Sequence, residues 1–172
     1  MSALHAQKSA VPVIGFLHGE SLEAYAHNVA AFRQGLKEAG YVDGRDVAIE
    51  YRWGEGRNDR LPTMAAELVQ RRVALIAVGG GSAARLAAKG ATTTVPIVFM
   101  SAADPLKEGL VASLNRPGGN VTGVMVPSVV LDGKRLELLN ELVPSGEVIA
   151  VLTNPAGTGT AAQLRDLHEA AR

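Results

Sequence analysis

The sequence predicts an α/β fold, a doubly wound parallel five-stranded sheet with helices on both faces. Three observations carry this. Apolar runs such as Val73-Ala74-Leu75-Ile76-Ala77-Val78 and Val95-Pro96-Ile97-Val98-Phe99 have the composition of strands covered on both sides. Segments with apolar residues three and four apart lie between them, as helices of an alternating β-α chain do. Glycine and Asx turns mark the changes from one to the other, above all Gly79-Gly80-Gly81-Ser82.

Taken in order, Val11 to Leu17 is a buried-type strand and His18-Gly19-Glu20-Ser21 the turn after it. Leu22 to Ala39 is a helix with Tyr25, Val29, Phe32 and Leu36 on one stripe, closed by Gly40 as its C′ glycine. Val47 to Trp53 alternates apolar and polar residues, which places it at the edge of the sheet with one wet face. Asn58-Asp59 can cap a helix from Arg60 to Arg71, with Pro62 tolerated in its first turn. The 73–78 strand, a helix from Ala83 to about Gly90 and the 95–99 strand form a central βαβ unit. Asp104-Pro105 opens a predicted helix from Leu106 to Leu114, and the dense turn Asn115 to Asn120 precedes a strand at Val121 to Met125.

That completes five strands and a first lobe over residues 11–126, after ten residues expected to be disordered. Residues 127–172 are expected to begin a second lobe: a helix from Leu131 to Leu142, a buried-type strand from Val148 to Leu152, and a helix from Thr160 to Arg172. A strand of this kind needs neighbours. The other possibility is a sixth strand added to the first sheet.

Composition narrows the function. Seventeen Lys and Arg balance seventeen Asp and Glu, so there is no electrostatic footprint for nucleic acid or an anionic membrane. No cysteine is present, which removes disulfides, thiolate metal sites and a cysteine nucleophile. No apolar run approaches the roughly twenty residues of a membrane span. The small residues flanking Leu4 resemble the cleavage end of a secretory signal, without the charged and apolar regions that precede one.

An extended colinear pattern then identifies a family. It comprises Phe32-Arg33-Gln34-Gly35-Leu36 with Gly40-Tyr41-Val42, Ile49 to Trp53, Arg60-Leu61-Pro62, Ala91 to Phe99, Asp104-Pro105, Gly109 to Gly123, and Lys134 to Leu139. From about Val11 to its end the chain resembles the substrate-binding proteins of ABC transporters. The resemblance implies a type I periplasmic-binding-protein fold, in which two α/β lobes close on a small solute, an amino acid or an aromatic carboxylate. It also implies a periplasmic or extracytoplasmic location, an ABC permease as partner of the full-length relative, and no enzymatic activity, cofactor or metal. Relatives continue through a whole second lobe, and this chain is expected to stop within it. Exposed segments of that partial lobe then predict a homodimer.

Candidate ligand-binding residues lie on the carboxyl edges of the strands, where open α/β sheets bind ligands. Gly80 and Gly81 let backbone amides approach a solute, and Ser82 can cap the next helix, whose positive end suits a carboxylate. The same glycines can equally be tight-turn residues. No lysine follows them as in a phosphate-binding loop, and Gly-x-Gly-x-x-Gly is absent. His18, Gly19 and Glu20 share the rim. A ligand-contact or solvated-turn role outranks acid-base chemistry there, because no nucleophile or third orienting group is apparent. Ser101 and Asp104 follow the fourth strand, where Asp104 can accept from a ligand amino group or cap the helix at Pro105. Asn154 follows the strand assigned to the second lobe, at an edge that faces the cleft in relatives. His5, His27 and His168 have no metal-ligand spacing. A nucleotide- or sugar-phosphate-dependent enzyme on the same sheet, and a self-associating remnant without binding activity, remain the competing readings.

Overall fold

The computed structural model describes residues 11–126, 131–144, 148–153 and 160–172. β1 (Val13–His18) pairs in parallel with β2 (Ala48–Trp53) on one side and with β3 (Leu75–Gly79) on the other. β4 (Ile97–Ser101) and β5 (Val121–Met125) extend the sheet beyond β3, giving the order β2-β1-β3-β4-β5 with every pair parallel. The connection leaving β1 goes outward to β2, and the next returns past β1 to β3. The strand order therefore reverses between β1 and β3, the position outside whose carboxyl ends open α/β sheets bind ligands. β2 lies at an edge, as its alternation predicts.

Helices cover both faces. α1 (Leu22–Glu38) starts at Ser21, whose Oγ accepts from the Ala24 amide at 3.3 Å, and stops at Gly40, φ +90°. Its Val29, Phe32 and Leu36 pack on Ile14, Phe16, Ala77 and the apolar side of β2. α2 (Leu61–Gln70) and α3 (Ser82–Ala91) lie on the opposite face. There Leu17, Leu61, Leu68, Ile76 and Ile97 are wholly buried, each contributing about 1.5–3 kcal/mol by leaving water. The polar side of β2 on this face is partly covered by ion pairs. Arg52 bridges Glu50 at 2.7 Å and Glu67 of α2 at 3.0 Å, and Arg71 reaches Glu50 at 2.7 Å.

α1 spans only the β2-β1-β3 half of its face. On β4 and β5 the residues pointing the same way are open, with Met100 53% and Val124 63% exposed beside Val98. α4 (Asp132–Leu142) and α5 (Thr160–Ala170) pack against each other.

Three expectations are corrected. The helix expected from Leu106 to Leu114 is a series of turns, with Glu108 N donating to Asp104 O at 3.1 Å and Leu110 N to Pro105 O at 2.9 Å. Gly109, at φ +66°, reverses the chain there, and Leu110 and Val111 turn into the core instead of lining a helix. The strand expected at Val148 to Leu152 does not form: Val148 is 88% exposed and Leu152 fully so. A strand exists through its ladder partners, and among the described residues none reaches this segment. Nor do Asn58 and Asp59 cap α2. They form a short 3₁₀ turn, and Arg60 stands at the N-cap without a side-chain bond.

Candidate functional site

The rim at the carboxyl edge of the sheet is assembled from the turns that end β1, β2 and β3. Their backbones touch at glycines. A Cβ on Gly19 would lie 2.3 Å from the Gly80 carbonyl oxygen, one on Gly80 2.4 Å from Gly19 N, and one on Gly54 2.6 Å from Gly19 O. Hydrogen bonds tie the same turns, from Gly54 N to His18 O at 2.8 Å and from Gly56 N to Gly19 O at 2.9 Å. Gly19 and Gly80 thus spend their missing side chains on each other. Gly81, at φ +98° with open space where its Cβ would be, faces no neighbour.

His18 is the last residue of β1 and only 4% exposed. Its ring lies 4.3 Å from that of Tyr25 and 5.2 Å from that of Trp53, and parallel to Phe16 at 6.1 Å. On the far side are Gly79 and Gly80: a Cβ on Gly79 would come within 2.7 Å of His18 Cδ2. Nδ1 accepts from the Glu20 amide at 3.1 Å. Burial lowers its pKa to about 4, so the imidazole is neutral near pH 7. Tyr25 sits inside α1 with non-helical φ −120° and ψ 18°, which sets the first turn of the helix apart from the rest. Glu20 is exposed at the rim.

Ser82 is the first residue of α3, and Gly81 takes the N-cap place the sequence gives to Ser82. The serine hydroxyl donates instead to Glu108 Oε1. Arg85, one turn on, pairs with the same carboxylate at 2.7 Å, with side chains 6% and 12% exposed. This buried pair joins α3 to the 104–109 turns, and sequence reasoning missed it. The available signal is a lone arginine between Ala84 and Ala88 on the inward side of the helix. A fixed carboxylate against the start of α3 also occupies some of the positive end that the sequence offers to a solute.

Ser101, the last residue of β4, is buried, its Oγ donating to Ala103 O at 2.8 Å and accepting from Ala103 N at 3.1 Å. Asp104 Oδ1 accepts from Leu106 N at 2.8 Å, which is the local turn role. The structure brings His18, Gly19, Gly80 and Gly81 together, with Glu20 and Ser82 beside them, and keeps Ser101 and Asp104 on the neighbouring β4 edge. Asn154 lies outside the described residues. Among those residues no cluster of three metal-ligating side chains exists, and no helix is long and apolar enough to cross a membrane.

The family model described as ABC transporter substrate binding protein matches residues 10–172. A tyrosine-binding protein of Clostridioides difficile is 31% identical over 141 residues, which are 82% of this chain and 40% of that protein. Among solved structures, a conserved domain protein from Vibrio cholerae superposes with a TM-score of 0.79 at 26% identity, over 94% of this chain and 53% of that one. An ABC domain from Streptococcus pneumonia in complex with L-Trp gives 0.77 at 28% identity, over 93% and 53%. A ligand-free, open substrate-binding protein with adhesive properties from Clostridium difficile gives 0.68 at 27% identity, over 94% and 54%. The chain thus spans about half the length of the relatives it matches.

Proposed function

Because the chain belongs to the ABC transporter substrate-binding protein family, we propose that it forms one wall of a cleft that captures a small carboxylate-bearing solute for an ABC-type uptake system. The observation that carries this reading is the reversal of strand order between β1 and β3, at whose carboxyl ends His18, Gly80 and Gly81 converge. An amino acid with an aromatic side chain is the solute of choice. In support, one relative is a tyrosine-binding protein and a structural neighbour holds L-Trp. Residues 11–126 serve as the first lobe and residues 127–172 as the start of the second. A permease is the transport partner, and the site of action is extracytoplasmic. A thermal-shift screen of amino acids, aromatic acids and nucleotides tests the reading, since a solute bound only by the folded chain raises its melting temperature. A rise with nucleotides alone would favour an enzyme instead.

A second reading concerns assembly. Leu142, Val143, Val148 and Leu152 are all exposed, an apolar surface that water does not favour. We infer a homodimer in which residues 131–144 and 148–152 pack against, or swap with, those of a second copy, and sedimentation showing a monomer across micromolar concentrations would refute it.

A further inference from the structure

We propose that His18 is the residue that selects the solute's carboxylate, by presenting a fixed Nε2–H as hydrogen-bond donor to one of its oxygens. This rests on the solute-binding reading above and assigns a recognition role within it. The Glu20 amide donates to Nδ1 at 3.1 Å, so Nδ1 carries the lone pair and the proton of the neutral ring is on Nε2. Tyr25, Trp53 and Phe16 hold the ring on one side, and the Gly79-Gly80 backbone holds it on the other. The imidazole cannot turn to exchange its nitrogens without breaking these contacts.

Among the described residues Nε2–H has no hydrogen-bond acceptor, and although the residue as a whole is only 4% exposed this nitrogen is not sealed off, so it keeps an opening to solvent. A solute oxygen entering by that opening can take the place of water as its acceptor. Glycine at position 79 keeps the approach clear: a methyl there would stand 3.1 Å from Nε2. The chain from Gly79 leads through Gly81 directly into α3, whose first amides favour the same negative group. The burial that keeps the ring neutral also prevents this donor from becoming a cation, so it reads an oxygen by position.

Isothermal titration of the whole chain with L-tryptophan, L-tyrosine and tryptamine, which lacks the carboxylate, tests this on the wild type, His18→Phe and His18→Gln. Phenylalanine keeps an aromatic ring and removes the donor, while glutamine restores an N–H. The expected result is wild-type binding of the two amino acids but not of tryptamine, a loss of about tenfold or more in His18→Phe, and partial recovery in His18→Gln. Equal affinities in wild type and His18→Phe, with L-tryptophan bound by both, would overturn the role of His18 alone. Failure of the wild type to bind either amino acid would overturn the solute reading and this inference with it. Should His18→Phe not fold, the ¹⁵N resonance of wild-type Nε2 decides: a shift on adding L-tryptophan supports the contact, and no shift under saturating binding refutes it.

Discussion

Replacing Gly80 with alanine tests whether the three rim turns are locked by backbone contact. The methyl group would lie 2.4 Å from Gly19 N, 2.6 Å from His18 Nδ1 and 2.7 Å from His18 Cε1. None of these can yield cheaply, because the first is main chain and the others belong to a ring clamped by Tyr25 and Trp53. Overpacking of this kind costs roughly 1–3 kcal/mol, and a side chain at φ +74° adds about 1–2 kcal/mol. The expected loss is therefore about 3 kcal/mol. Gly56→Ala is the matched control: its φ is +72° but nothing lies within 4 Å of the added methyl, so only the backbone cost of about 1–2 kcal/mol remains. Urea unfolding of wild type and both variants, compared by midpoint at constant slope, gives the difference. If Gly80→Ala is no less stable than Gly56→Ala, the turns are not interlocked and the rigid rim is wrong.

Four further outcomes are expected. His18 titrates at about 4 in the fold against 6.5 when unfolded. Below pH 6.5 the unfolded chain gains a proton that the fold refuses, so this group removes roughly 3 kcal/mol of stability between pH 6.5 and 4 and nothing further below. Denaturation of His18→Gln against pH should lack that component. Arg85→Met, which strands the buried Glu108 carboxylate, should destabilise by about 3–5 kcal/mol in urea, and adding Glu108→Leu should restore much of the loss. Gly35→Ala, in the middle of α1 with free space around it, should raise stability by about 0.5–1 kcal/mol in the same assay. If residues 131–144 and 148–152 pair between copies, the melting temperature should climb with protein concentration.

The sheet was legible because its signals are local. β1 and β3 are continuous apolar segments, α1 has its stripe and its glycine stop, and β2 alternates at an edge; each of these follows from backbone sterics and burial within a few residues. The 106–114 segment misleads because Leu106, Leu110 and Val111 have helical spacing, yet Gly109 takes a positive φ and the two inner residues gain more from the core than from a helix stripe. Val148 to Leu152 has the composition of a strand, but composition cannot supply the neighbouring strand that a ladder requires. At the site, the sequence brings His18 and the glycines to one edge. It cannot reveal that Gly19 and Gly80, sixty-one positions apart by their numbering, meet through their backbones. Nor does it reveal that Ser82 turns from its own helix toward Glu108, since both depend on how loops distant in the chain settle together.

The break at Tyr25 divides α1 into a single capped turn and an anchored remainder. From Tyr25 onward the helix is anchored by Val29, Phe32 and Leu36, whereas the preceding turn rests on the Ser21 cap and has Leu22, Glu23 and Ala24 in solvent. The amides of Leu22 and Glu23 precede the first intrahelical bonds, so Ala24, whose amide is held by Ser21 Oγ, is the residue whose exchange follows opening of this turn, while the best-protected amides of the remainder open with the lobe. Because the break falls at Tyr25, whose ring lies against His18, opening of this cap is the helix event nearest the imidazole. Exchange at Ala24 becomes a means of following the rim without a label.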